Sequence, residues 1–593
     1  MPGTLTVDMK KPLDADEILS ITASGVQVTL SPETREALSL RRSDVEGFIT
    51  EQKRPAYGFN RGFGHNVDLA VPTDRLSQLQ ENLILSHAVG VGEPVDPGIV
   101  RITMLLRVLS LTRGYSGVRP ELIEQLIGLL NNDITPLVPE YGSVGASGDL
   151  APLSHIGLAL LGKGKVLFHG EKIDAAEALR RVGMAPIHLE MKEGLALNNG
   201  VQFMNAIGML ACSRLKTLLQ SAVINTALVS QVMLAPDTYF RADFHALRPH
   251  PGAVQVADWI RRLMENSPIR ESHRPFEVDG QVQDPYNIRC AAQVLGTCYE
   301  LIDKAERTFL TEANSVTDNP ILLPAGPYAS EAYQGKYVDI ISGGHFHGMP
   351  VAVQIYNLFQ GLGIMTNLAH QRSARFVDES KNKGLGRDLK WPELTPDELS
   401  VSSGMMMLEY TSAALVNDIW GSLTPSHLFN ISTNSGQEDH VSMGTSLAVR
   451  LLKTIPKAAQ VLAIELAYIC QAIAIRRILP VIPTYAILPP DIFGELNRIR
   501  KKLQKSVKGV IFEVSVQGEH PMSEAERRLS PVSEGLYKVI SERQLFPTVT
   551  ADRFLGDDLM KLAHFIESGE MVETVEREVE LGWRESHNST QTI

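Results

Sequence analysis

The feature that most constrains this chain is a set of long helical patterns. From Gln202 to Leu234 apolar residues recur every three or four positions with Gly208 as the breaker, the period of a helix with one buried face. Similar patterns fill Ala291 to Thr311, Pro350 to Arg372, Ser403 to Leu423 and Ser442 to Arg476. Helices of this length draw their stability from packing, so the spacing predicts a bundle. The first quarter differs. It alternates turn-rich pieces with helical patterns, and its clearest extended segments are Gly25 to Leu30 and Val166 to Phe168. The predicted fold is therefore mainly α: a smaller N-terminal α+β part over 1–200, a long central helical bundle over 201–477, and a C-terminal helical extension over 478–593. Between Asp378 and Ser400 the texture turns to Lys, Gly, Asp, Pro and Glu, which reads as an irregular loop of a length often tied to function. Past Arg477 the sequence reads as a Pro-rich linker (Pro480, Pro483, Pro489, Pro490), a basic stretch from Arg498 to Lys508 that suits a solvated helix face, and a charged helical tail.

Composition removes several function classes. Lys and Arg number 56 against 68 Asp and Glu, a net charge of −12 that repels nucleic-acid phosphate and anionic lipid. Neither nucleic acid nor a membrane is expected as a partner. The stretch Val461 to Ile475 is interrupted by Glu465 and too short to span a bilayer, so it reads as a buried helix. Met1 to Ser20 has no apolar core behind its lysines, unlike a secretory signal. The four cysteines, Cys212, Cys290, Cys298 and Cys470, are widely spaced in apolar or helical contexts. They form no zinc or disulfide framework and read as reduced core cysteines of a cytoplasmic protein, with no metal expected.

The chemistry concentrates in Gly142-Ser-Val-Gly-Ala-Ser-Gly-Asp-Leu-Ala-Pro-Leu-Ser-His155. If a tight turn presses the amide nitrogen of Gly148 against the carbonyl carbon of Ala146, a five-membered ring can close. Loss of water from the ring and from Ser147 then leaves an exocyclic methylidene, an electrophile made without an added cofactor. Gly148 lacks the Cβ that would block the approach, Ala146 is small, and Ser147 supplies the hydroxyl that leaves. Taken alone, the tripeptide is an ordinary Gly/Ser turn before a helix, with Asp149 near its N-terminus.

Six blocks together carry a sharper reading: the Gly142 loop, Tyr57-Gly-Phe-Asn-Arg-Gly-Phe-Gly64, Glu193-Gly-Leu-Ala-Leu-Asn-Asn-Gly200, Gln283-Asp-Pro-Tyr-Asn-Ile-Arg289, Asn314-Ser-Val-Thr-Asp-Asn-Pro320 and Gln437-Glu-Asp-His-Val-Ser-Met443. In their order along the chain they resemble the ammonia-lyase and aminomutase family that carries a methylidene-imidazolone (MIO) group, over roughly Ile18 to Arg477. Ser86-His87 and Gln437-Glu438-Asp439-His440 are most similar to the histidine ammonia-lyase branch. The resemblance implies the histidine/phenylalanine ammonia-lyase fold, an MIO formed autocatalytically from Ala146, Ser147 and Gly148, and a small amino acid as substrate. It also implies a homotetramer whose active sites draw on several subunits, which suits long apolar helices without an obvious solvent face.

Residue roles follow from the same resemblance. Tyr57 is implied as the base that removes the weakly acidic β-proton, a task for which a phenol needs a nearby positive potential. Asn199 is implied to hydrogen-bond the MIO oxygen, as an oxyanion donor does. Arg289 is implied as the clamp on the α-carboxylate, whose two oxygens a guanidinium can grip together. Tyr286 is placed beside the prosthetic group, and Phe346 and Asn314 line or support the pocket. His87 and Glu438, with Gln437, resemble the residues that recognise an imidazole, Glu438 accepting a ring N–H. Three departures bear on the substrate. Val201 stands where a Thr usually follows Asn-Gly, and His345 replaces the Asn of the usual Gly-Gly-Asn-Phe-His block. Lys381, in Asp378-Glu-Ser-Lys-Asn-Lys-Gly384, aligns with a Met that histidine lyases carry over the imidazole. A cation there would favour a ring bearing a polarised sulfur, as in ergothionase, which expels trimethylamine from ergothioneine to give thiourocanate. His345-Phe-His-Gly348 resembles a block of MIO 2,3-aminomutases. The expected reaction is ammonia elimination from L-histidine or a related imidazole amino acid, with those two activities as alternatives.

Overall fold

The structure, a computed structural model, describes residues 3–23, 25–52, 55–63, 68–145, 148–274, 283–327, 330–485 and 517–583. The basic stretch from Arg498 to Lys508 lies outside the described residues, as do Ala146 and Ser147. The five long patterns become the helices Gln202–Val232, Ala291–Ala313, Met349–Val377, Met406–Ser422 and Gly444–Ile478. Each lies within a few residues of its expected span, because a buried apolar stripe at helical period decides these segments regardless of what they pack on. The helices Gln202–Val232 and Gly444–Ile478 are long and apolar enough to cross a membrane, but their most apolar stretches are 67% and 94% buried within the protein, as core helices are.

Both expected strands form. Gln27–Leu30 pairs in parallel with Thr4–Val7. Lys165–Phe168 is the middle strand of a three-stranded antiparallel sheet, between Ile134–Pro136 and Glu171–Asp174. Two segments depart from their expectations. Where a Pro-rich linker is expected, Val481–Tyr485 is a strand, paired antiparallel with Gln517–Pro521. A two-stranded ribbon leaves each strand an open edge, where the missing N–H of Pro483 costs no ladder bond. The loop after Asp378 also holds order: a single 3-10 turn, Arg387–Leu389, and a helix, Pro396–Val401, opened by a capping box in which Thr395 and Glu398 satisfy each other's backbone N–H.

The chain forms two compact units. The first comprises Met1–Ser213, Ile302–Phe359 and Thr424–Lys453. Phe59 packs there with Val45, Ile49, Ala56 and Leu322, a burial worth about 1.5–3 kcal/mol for the phenyl ring alone. Its helix Pro97–Thr112 is buried from Ile99 to Thr112, and so carries Arg107 into the core.

The second unit comprises Arg214–Leu301, Gln360–Leu423 and Thr454–Ile593. Tyr468 stacks on Phe376 at 5.7 Å and donates its hydroxyl to Met405 O at 3.0 Å. Arg372 pairs with Glu465 and donates to Thr226 Oγ1 at 2.7 Å, so this buried charge is fully engaged. The C-terminal helices Pro531–Glu542, Gly556–Glu567 and Glu570–Glu576 belong to this unit. Trp259 packs at a tilt on Trp583, ring centroids 4.3 Å apart, and donates to Leu581 O at 2.9 Å. Asp552 accepts from the Ser403 and Gly404 amides just ahead of the helix Met406–Ser422, at 2.7 and 3.1 Å, satisfying donors near a helix start.

Candidate active site

In the first unit the reactive loop is framed by backbone approaches that only glycine permits. Gly148 has φ +81 and pairs in a parallel bridge with Gly200. A Cβ on Gly148 would collide with the Gly200 carbonyl. A Cβ on Gly145 (φ +67) would collide with Ser442 Oγ. The next residue, Asp149, donates its N–H to Gly200 O at 2.7 Å. Its fully buried carboxylate accepts from Ser143 Oγ at 2.7 Å, Thr445 Oγ1 at 2.8 Å and the Met204 amide at 2.8 Å. Asp149 therefore caps the first turn of Gln202–Val232 instead of its own helix, and clamps both sides of the loop to one helix start. Burial raises its pKa, and these hydrogen bonds oppose the rise.

Asn199 ends the helix Glu193–Asn198 in an extended conformation and is buried. Its side-chain amide makes no hydrogen bond among the described residues, and its Oδ1 is buried without a partner. Its carbonyl is gripped by Arg107 Nη1 at 2.7 Å, the same nitrogen that reaches Gln202 Oε1 at 3.1 Å and Thr317 O at 3.2 Å. Burial pulls the Arg107 pKa down to about 10, with Asp318 opposing. Lys192, in a left-handed conformation, is the N-cap of the same short helix; its Nζ meets both oxygens of Asp318 at 2.8 and 2.9 Å. The backbone of Lys192 donates to Gly58 O at 3.0 Å, and Gln80 Nε2 donates to that oxygen at 3.0 Å. Gly58, at φ +75, is thereby fixed, and with it the turn that carries Tyr57. The Tyr57 ring packs edge-on against Phe63, centroids 6.1 Å apart.

The same unit holds the expected imidazole-binding pair. His87 ends the helix Leu76–His87, half-buried, with Nδ1 3.0 Å from Ser86 Oγ. Burial lowers its pKa, so its neutral form prevails near pH 7, while the backbone of Leu83 and the charge of Glu438 pull the other way. Glu438 accepts from Thr433 Oγ1 at 2.7 Å, in a short bridge to Thr433, and Gln437 beside it is exposed. Phe346 is half-buried and His345 exposed, while His347 Nε2 lies 3.0 Å from His440 O. Val201 is buried. Asn314 acts structurally, exchanging hydrogen bonds with the backbone of Leu13 at 3.0 and 2.9 Å.

The second unit brings Tyr286 and Arg289 together: the guanidinium carbon sits 4.5 Å from the Tyr286 ring centroid. Tyr286 is 70% exposed, and Arg289 Nε donates to Asp284 O at 2.8 Å. Lys381 is a surface residue, its side chain 54% exposed and paired with Asp378 at 2.5 Å. The buried lysine of that loop is Lys383, which pairs with Asp284. Among the described residues no cluster of His, Cys, Asp and Glu could hold a metal ion. Sequence reading passed over Arg107, Lys192, Asp318 and Lys383. The available signal was a charge inside a block of otherwise buried character, as with Lys192 and Asp318.

A mainly helical fold in which Gly148 lies against Gly200, next to the buried Asn199, and which carries an exposed tyrosine–arginine pair is that of a carbon–nitrogen lyase. The family described as aromatic amino acid lyase matches residues 13–485. A histidine ammonia-lyase from Symbiobacterium thermophilum is 35% identical over 570 residues, 96% of this chain and 98% of that one. A tyrosine aminomutase from Streptomyces globisporus superposes with a TM-score of 0.80 at 27% identity, covering 98% of this chain and 100% of its own. An ergothionase from Treponema denticola, at 23% identity and a TM-score of 0.78 over 96% of this chain and 99% of its own, shares the fold. The chain belongs to the aromatic amino acid lyase family.

Proposed function

We propose that this enzyme eliminates ammonia from L-histidine to give the α,β-unsaturated imidazole acid, using an MIO group built from Ala146, Ser147 and Gly148. The observation that carries the substrate is that the half-buried His87, whose pKa burial lowers, lies close enough to Glu438 to feel its charge. A carboxylate that accepts a ring N–H and a neutral imidazole that can donate or accept together suit an imidazole side chain. The full-length similarity to a histidine ammonia-lyase supports the same reading.

The residues around the loop fit such a group. Gly148 approaches backbone where no side chain could, and the Asn199 amide and the buried Ser442 Oγ have no partner among the described residues. Asn199 and Ser442 would hold the ring, with Gly200 and Asp149 fixing its frame. Once formed, the ring supplies an electrophile that makes the substrate's amine a better leaving group. Tyr57 takes the β-proton at its phenol oxygen, from a turn locked by Lys192 and Gln80. Arg289 holds the carboxylate.

We also read the enzyme as a cytoplasmic homotetramer. The helix Met406–Ser422 presents Met407, Tyr410 and Trp420, each at least half exposed, an apolar face suited to a second copy. Three buried free cysteines suit a reducing compartment. Light scattering is expected to return four chains per particle, and Met407, Tyr410 and Trp420 changed together to Ser to reduce it.

The deciding experiment offers L-histidine and ergothioneine together and identifies products by mass spectrometry. Ammonia with urocanate supports the reading. Trimethylamine with thiourocanate, or a β-amino acid isomeric with histidine, replaces it with the ergothionase or aminomutase activity.

A further inference from the structure

Arg289 has one hydrogen bond among the described residues, from Nε to Asp284 O at 2.8 Å. With Nε engaged and the guanidinium laid on the Tyr286 ring, Nη1 and Nη2 are left side by side, the end-on edge that takes both oxygens of one carboxylate. An arginine in this position faces a hazard within its own turn. Asp284 lies five residues upstream, and its carboxylate is the anion that a guanidinium would seize first. The structure shows Arg289 on the Asp284 carbonyl and not on that carboxylate.

The reason is that the carboxylate is already taken. Lys383 Nζ meets Asp284 Oδ1 at 2.9 Å, with the two side chains only 5% and 4% exposed. Tyr239 donates its hydroxyl to Asp284 Oδ2 at 3.2 Å and accepts the Asp284 N–H at 3.2 Å, so side chain and backbone are both held. Lys383 is fixed in turn, its carbonyl accepting from Arg476 Nη2 at 2.8 Å.

We propose that Lys383, acting with Tyr239 through Asp284, is a positioning residue that keeps the Arg289 guanidinium free and oriented for the substrate carboxylate. This rests on the reading of Arg289 as the carboxylate clamp. Lys383 neutralises a neighbouring carboxylate that would otherwise capture Arg289, and leaves the guanidinium its charge for the ligand.

The test uses the full chain and two ligands, the unsaturated imidazole acid and its primary amide, with affinities from calorimetry. Wild type binds the acid more tightly than the amide. Lys383→Met weakens the acid at least about tenfold, the loss of one charge-assisted hydrogen bond, and leaves the amide unchanged. Lys383→Arg keeps the preference for the acid, and Asp284→Asn added to Lys383→Met restores it, because residue 284 then carries no charge to compete for Arg289. If Lys383→Met does not fold, Lys383→Gln carries the test, with the same selective loss expected because the uncharged amide no longer neutralises Asp284. A variant that keeps the wild-type preference, or loses both ligands equally, overturns the positioning role. A wild type that binds both ligands alike overturns the clamp itself, and the positioning role with it. A wild type that binds neither overturns the imidazole reading, and cinnamate with cinnamamide then carries the same test.

Discussion

Lys192 Nζ lies 2.8 Å from Asp318 Oδ1, and neither side chain has any exposure to solvent. The pair sits at the head of the short helix that ends at Asn199, beside the backbone that fixes Gly58. Breaking a buried pair by removing one partner strands the other charge. Lys192→Met is therefore expected to destabilise the protein by about 3–5 kcal/mol, read as a lowered urea midpoint. Adding Asp318→Leu should recover much of that loss. An unchanged midpoint in the single variant would show that the pair contributes nothing.

Gly200 is the floor beneath Gly148. A Cβ on Gly200 would lie 2.6 Å from both Arg107 Nη1 and Thr317 O, and would collide with Gln202 Oε1. All three are backbone or side chains locked in the core, so the backbone that carries Asn199 must shift. Gly200→Ala is expected to abolish ring closure while leaving the helical circular dichroism in place. The measurement is the mass of the peptide spanning Ala146 to Gly148: wild type lacks the mass of two waters, and the variant retains it.

His273 makes part of the stability pH-dependent. Burial, joined by the charges of Arg270, Lys383 and Arg476, pushes its pKa down to about 3 from an ordinary value of 6.5. Below 6.5 the unfolded chain takes up a proton that the folded chain refuses, so the favourable term present above 6.5 is lost as pH falls toward 3. The slope from this one group is about 1.4 kcal/mol per pH unit within that window. His273→Gln should flatten the stability profile there, whatever it does to stability at pH 8. An unaltered slope would show that His273 is not the group responsible.

Lys381 hydrogen-bonds Asp378 on the surface and, with Ser380, draws the Asp378 pKa down to about 2. In this arrangement the Lys381 ammonium is committed to Asp378. Lys381→Met is expected to leave the ratio of turnover on L-histidine to turnover on ergothioneine unchanged. A shift in that ratio would return Lys381 to the binding site.

The long helices, the strands at Gln27–Leu30 and Lys165–Phe168, and the blocks from which the family follows are all legible in the order of residues. Periodicity and local motif chemistry are properties of neighbouring residues, so they can be read without knowing what packs where. Proline content misread Val481–Tyr485, because whether a strand forms there depends on a partner more than thirty residues away. Tertiary structure alone decided which charges act on the site. Lys192 meets Asp318 across 126 residues of chain, and Asp284 is met by Lys383, 99 residues on, and not by Lys381 two positions earlier. Asp149 reads locally as the cap of its own helix, yet in space it caps another. A charge buried in the core goes to whichever partner packing brings within hydrogen-bond reach, since leaving it unpaired costs several kcal/mol. Local sequence holds no record of that choice.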